Sequence, residues 1–154
     1  MKQFVIKDYE TGKASYWLGN RKSGIDLAVD ELGVWVLWGS KDKNYGLKAA
    51  LLDSSSYNTT HSWNVTAGAM NEIGNAFIIC GVVYTIDTHN RLTAIIDLAF
   101  DTKTGKKWRP GIKFKNDGSF ITMLDYNPTD KLLYCWNNEK LYYYPLLLNS
   151  TQHL

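Results

Sequence analysis

The chain has 154 residues, of which 45% are hydrophobic and 21% charged, so it is long and apolar enough for one folded domain and is excluded from the disordered class. The formal net charge is +2, with Lys and Arg scattered among Asp and Glu, which excludes the basic stripe of a nucleic-acid binder. No apolar run approaches the roughly 20 residues of a membrane helix.

Aromatic residues are in excess at 14%, with six Trp and ten Tyr, and such side chains suit pleated, half-buried surfaces. The opening MKQFVIKDYE is interrupted by Lys7, Asp8 and Glu10 and is not a signal peptide, which alone points to the cytosol. Three N-x-[ST] sequons, at Asn58, Asn64 and Asn149, point the other way, since roughly one or two would arise by chance.

Along the chain, short apolar runs alternate with turn residues. The runs 34–38, 47–52, 77–80, 82–86, 92–100, 121–124, 132–136 and 141–148 carry Val, Ile, Tyr and Trp and are bounded by Gly, Asp, Asn or Lys. That is the signature of strands and turns, and no long segment keeps helical spacing, so the fold is predicted all-β.

An internal repeat organises these runs. IDLAVDELGVWV (25–36) aligns with GNAFIICGVVYT (74–85) and with LDYNPTDKLLYC (124–135). Trp35, Tyr84 and Tyr134 then fall 49 and 50 residues apart, and Asp26, Asn75 and Asp125 keep the same spacing. A second element repeats between them: Leu51-Leu52-Asp53 followed by Trp63 matches Ala99-Phe100-Asp101 followed by Trp108, and the opening Asp8-Tyr9-Glu10-Thr11-Gly12 looks like a further copy of 101–105. A period near 50 with about four strands per copy fits the blades of a β-propeller, whose innermost strands line a central channel; a β-sandwich with coincidental spacing is the competing architecture. The blades fall at about 20–66, 73–112 and 119–147, after part of an outer hairpin from a preceding blade.

In this register Asp26, Asn75 and Asp125 face one channel. Two carboxylates in a low-dielectric channel repel unless something compensates them, and a hard cation such as Ca²⁺ does so with oxygen ligands. Asp and Asn also cap turns, so the spacing by itself leaves both readings open.

At these residues the sequence resembles the olfactomedin-domain family. The matching stretches are IDLAVDE with GVWV (25–36), GNAFIICG (74–81), AFDT with TG (99–105), and MLDYNP with KLLY (123–134), covering about 4–147. The resemblance implies a five-bladed β-propeller, of which this chain carries about three and a half blades. The domain would run over 1–148, with a tail at 149–154 and the remainder of the domain upstream of Met1. It also implies a Ca²⁺ in the channel, with a Na⁺ beside it. Asp26, Asn75 and Asp125 would contribute side chains, Ala76 and Leu124 carbonyls, and Leu27 a carbonyl on the Na⁺ side. Cys80 matches the family cysteine that forms a disulfide with an upstream cysteine absent from this chain. Cys135 stands where relatives commonly have alanine and is expected to be a buried free thiol. It is not expected to pair with Cys80, which the repeat places on the inner strand of the neighbouring blade.

The function implied is extracellular protein recognition or adhesion, by a secreted protein or the ectodomain of a membrane protein. Its partners would be adhesion molecules, receptors or matrix, with oligomerisation through upstream segments. Trp38 and Tyr45 are candidate anchors, with inter-blade packing as their other reading. Asn58 and Asn64 are expected to carry glycan, in a polar stretch, 54–66, between strands. No catalytic role is expected: His61, His89 and His153 form no triad or zinc pattern, and no phosphate loop occurs. The alternative is a calcium-dependent hydrolase at the channel mouth, with Asp30 or Asp87 as general base, although Asp30 reads more naturally as the end of a strand.

Overall fold

The computed structural model describes Ile6, Asp8, Tyr9 and residues 24–147; Asn149, His153, the tail and most of the opening copy of the repeat lie outside the described residues. Three antiparallel sheets follow one another along the chain. The first is β1 (Ile25–Asp30), β2 (Gly33–Ser40), β3 (Gly46–Leu52) and β4 (Thr59–Ala69), in that spatial order. The second is β5 (Asn75–Ile79), β6 (Val82–Ile86) and β7 (Thr93–Asp101), with β8 (Lys107–Trp108) and β9 (Ile112–Lys115) sharing the far edge of β7. Those last two strands are one outer strand broken at Arg109-Pro110-Gly111, where Pro110 offers no ladder donor and Gly111 takes φ 64°. The third sheet is β10 (Ile121–Asn127), β11 (Leu132–Asn137) and β12 (Lys140–Pro145). Among the described residues the only helical pieces are single 3₁₀ turns at Lys41–Lys43 and Met70–Glu72.

Two-residue side-chain alternation packs the sheets face to face. Strand β5 is buried along its whole length: Ala76 and Ile78 pack with Trp35, Leu37, Ala49 and Val65 of the first sheet. Phe77 and Ile79 point the other way, against Ile121, Leu124, Leu133 and Cys135 of the third. Each such large side chain contributes about 1.5–3 kcal/mol by leaving water, so the second sheet is held from both faces. The innermost strands β1, β5 and β10 lie against one another, and each sheet meanders outward from them, which is a β-propeller arrangement.

Several expectations need correction. The equal spacing of the repeat does not carry equal register. Trp35 faces Ala28 and Tyr84 faces Phe77, but Tyr134 faces Asp125, two residues nearer the start of its inner strand. The cause is the turn: Glu31-Leu32 and Cys80-Gly81 are two-residue turns, whereas Pro128–Lys131 is a four-residue loop. Cys80 is not in a strand; with φ 49° it forms, with Gly81 at 77°, the paired left-handed residues of a tight hairpin. The stretch 54–66 is not all loop, because β4 begins at Thr59 and contains Asn64. The outer strands also run further than the predicted blades, to Ala69 and Lys115, and among the described residues the third sheet has three strands. Trp38 is buried at 4% exposure, so it packs between elements rather than anchoring a partner; Tyr45 is half-buried.

Candidate functional site

Asp26 lies on β1, Asn75 and Ala76 at the start of β5, and Leu124 and Asp125 on β10, the three innermost strands. Asn75, Ala76 and Leu124 are buried, Asp26 and Asp125 are half-buried, and the Leu27 side chain is exposed. Burial, and after it the negative charge of Asp26, pushes the Asp125 carboxyl up to about 7. The two carboxylates thus lie near enough for the charge of Asp26 to act on Asp125. The backbone N–H of Leu27 donates to Asp26 Oδ1 at 3.0 Å, and that of Ala76 to Asn75 Oδ1 at 2.8 Å. Among the described residues no three His, Cys, Asp or Glu side chains gather, so oxygen donors other than carboxylates have to complete any cation shell here.

The turn that closes β1 and β2 carries a second polar centre. Asp30 is buried, and both its oxygens are occupied: Oδ1 accepts from Trp35 Nε1 at 2.7 Å and Leu32 N at 2.8 Å, Oδ2 from Gly81 N at 2.6 Å. Next to it, Glu31 Oε1 accepts the Tyr126 hydroxyl at 2.6 Å, and Oε2 accepts Cys80 N at 3.1 Å and Cys80 Sγ at 3.3 Å. Partial burial opposes ionisation of Glu31, but hydrogen bonds from Tyr126, the Glu31 backbone and Cys80 together outweigh it and hold the carboxyl below the usual range. The same contacts act in reverse on the donors. Burial and then Glu31 push the Cys80 thiol up to about 11, and the Tyr126 phenol is raised for the same reasons.

The two candidate general bases both make bonds within hairpins. Asp30 has no free oxygen for a substrate, and Asp87 uses Oδ1 to accept Ile95 N at 2.7 Å while its own N–H donates to Ile95 O at 3.0 Å. His61 is exposed and lies 5.0 Å from the Trp63 ring; His89 is pushed down to about 4 by burial and meets Phe120 edge-on. Cys135 is a buried free thiol, raised to about 12 by burial, and Cys80 is a free thiol at the surface. The buried Trp38 donates from Nε1 to Asp8 Oδ1 at 2.9 Å, and Ser40 Oγ and Lys48 Nζ both reach Asp8 Oδ2 at 2.6 Å. Asp8 is thereby held on the first sheet. The turn motif DE before G-V-W was visible in the sequence, but its reach to Cys80 and Tyr126 was not.

Residues 1–151 match the olfactomedin-like domain. The chain belongs to the olfactomedin-like domain family. Similar relatives include myocilin from Felis catus, 35% identical over 82% of this chain and 26% of that protein. Myocilin from Homo sapiens is 34% identical over 82% of this chain and 25% of that protein, and myocilin from Rattus norvegicus is 33% identical over the same shares. The olfactomedin-like chain thus spans about a quarter of the length of the curated relatives it matches. Among its described residues no helix is long and apolar enough to cross a membrane.

Proposed function

We propose that this olfactomedin-like chain is an extracellular protein-recognition module with a calcium ion held where its inner strands converge. The observation that supports the cation is the Asp26–Asp125 pair, a half-buried negative pair in which burial and Asp26 together disfavour ionisation of Asp125. The donor set in reach of the inner strands is two carboxylates, the Asn75 amide and the carbonyls of Ala76 and Leu124. These are hard oxygen ligands of the kind Ca²⁺ takes in sixes to eights, with water completing the shell. The Leu27 carbonyl would serve a neighbouring Na⁺. Bound there, calcium would neutralise the pair and tie three sheets together at their inner strands.

Recognition, in this reading, is carried by the loops and rim, outside the cell, with adhesion molecules, receptors or matrix as partners. The engagement of Asp30 and Asp87 in hairpin bonds favours it over the hydrolase alternative. Calorimetric titration with calcium tests the cation: unchanged affinity in Asp26→Ala would sink it. Probing an array of extracellular proteins with and without chelator tests recognition. Calcium-dependent turnover on a panel of ester, phosphoester and glycoside substrates would overturn it in favour of catalysis.

A further inference from the structure

We propose that an N-linked glycan on Asn64 guards the outer edge of β4, taking the place that cationic residues and proline hold on the outer edges of the other two sheets. The inference rests on the extracellular reading above, because such glycans are added only in a secretory lumen.

Each sheet ends in an outer strand. Among the described residues, β4 pairs only with β3, β8 and β9 only with β7, and β12 only with β11. An outer strand presents unpaired backbone N–H and C=O groups and invites another chain to add a strand, a hazard that proteins blunt with Lys, Pro and local breaks. The second sheet has Lys107, Lys113 and Lys115 on its outer strands and Arg109-Pro110 between them. The third has Lys140 and Pro145 at the two ends of β12. Strand β4 is the longest of the three at 11 residues, and its sequence TTHSWNVTAGA contains no Lys, Arg, Asp, Glu or Pro. It is rich in Thr with Trp and Val, residues of high strand propensity, and low charge with no proline is the composition that adds strands most readily.

Two of the three sequons fall at this edge. Asn58 immediately precedes β4, and Asn64 is its sixth residue. Alternation places Trp63 and Val65 toward the core and Asn64 on the opposite face, where it is exposed and paired across from Lys48. A glycan there stands at the middle of the strand and sweeps the volume that an added strand would occupy. Asn58 covers only the start. The modification is a substitution at carbon: the Asn64 amide nitrogen bonds to the anomeric carbon of a lipid-diphosphate-linked oligosaccharide, the bond from that carbon to the phosphate oxygen breaks, the lipid diphosphate leaves with the electron pair, and the amide proton passes to solvent.

The test uses the full chain, secreted from eukaryotic cells behind a cleavable leader. Glycopeptide mass mapping is expected to find Asn64 occupied; a secreted chain bare at Asn64 overturns the proposal while leaving the extracellular reading intact. The native protein, located by antibody, is the separate arm: confinement to the cytosol overturns that reading and the proposal with it. Asn64→Gln is expected to cause association on warming that protects the β4 amides from hydrogen exchange, severalfold beyond the glycosylated chain. Asn64→Lys, made without glycan, is expected to reverse this, with cooperative unfolding retained in all forms. Asn64 is the residue to change because Thr66 Oγ1 accepts Leu47 N at 2.8 Å and donates to Gly68 O at 2.9 Å, so altering the sequon threonine would disturb the strand itself. Bare β4 amides that stay unprotected, Asn64→Lys that associates like Asn64→Gln, or a specific partner strand captured on β4 each overturn the guarding role.

Discussion

The Tyr126 hydroxyl donates to Glu31 across 2.6 Å, joining the third sheet to the first, and the same carboxylate takes the amide and thiol of Cys80 from the second. One side chain at a hairpin turn therefore ties three sheets at the ends of their inner strands.

Removing that tie is expected to loosen the sheets together. Glu31→Ala should lower stability by about 1–2 kcal/mol, at or below the low end of the range for hydrogen bonds to charged groups, because Glu31 is only partly shielded from solvent. Tyr126→Phe should cost about 1 kcal/mol, and the double variant less than the sum. The carboxyl is held below its ordinary 4.5, so its contribution is present above that value and is lost as pH falls through the lower folded value. Urea unfolding across acid pH should show a shallower acid limb in Glu31→Gln; an unchanged limb would remove Glu31 from the tie.

Thiol labelling reads the same contact from the other side. With its thiol raised to about 11, Cys80 is almost wholly protonated near neutral pH, and the thiolate is the reactive form. Cys80 should label slowly despite its exposure, and Glu31→Gln should speed it severalfold. Cys135 should label only on unfolding. Equal Cys80 rates in the parent and the variant would show that Glu31 does not restrain the thiol.

Asp30 is expected to be the costliest of the turn residues to lose. Asp30→Ala leaves the buried Trp35 Nε1 and Gly81 N without their acceptor, so a loss of about 2–6 kcal/mol follows at about 1–3 kcal/mol for each of the two unsatisfied buried groups. A variant within about 0.5 kcal/mol of the parent, as surface substitutions usually are, would contradict this.

What the sequence conveys and what it hides have physical causes. The sheets and their order are legible because runs such as Phe77-Ile78-Ile79 and Val82–Ile86 are buried on both faces and bounded by turn residues. Strand β4 is hidden because an edge strand keeps half its side chains in water, so His61, Ser62 and Asn64 read as loop. The third register is hidden because Asp125 and Tyr134 keep the repeat's spacing across a longer turn. The inner-strand positions of Asp26, Asn75 and Asp125 follow from the repeat, but the Glu31–Tyr126 bond spans 95 residues and has no local pattern to announce it.

The Asp26–Asp125 pair makes a prediction in which stability and calcium response move in opposite directions. Burial, and then Asp26, raise Asp125 from its ordinary 3.8 to about 7, so the folded chain prefers to keep this group protonated. For a group raised on folding, the favourable contribution is full below the unfolded value and is lost as pH rises through the folded one. Cation-free protein should therefore lose stability between 3.8 and about 7 through this group, and above that range it folds around a carboxylate that burial and Asp26 disfavour. Asp125→Asn keeps the side chain's shape and removes the charge. In chelator above about 7 it should melt higher than the parent, with a flatter slope across the window below. In calcium the order should reverse if the proposed site holds the ion, because a metal that binds only the folded state raises the parent's melting temperature by mass action and the variant would lack a ligand. Asp26→Asn should move in the same directions but stabilise the cation-free protein less, since burial is the larger cause at Asp125 and this variant relieves only the second. Thermal unfolding of all three proteins in chelator and in calcium, above and below the window, separates the cases. A parent whose stability in chelator does not change with pH across it would mean that burial and Asp26 do not raise Asp125, and an Asp26→Asn variant with the parent's slope would mean that the two carboxylates do not share a site.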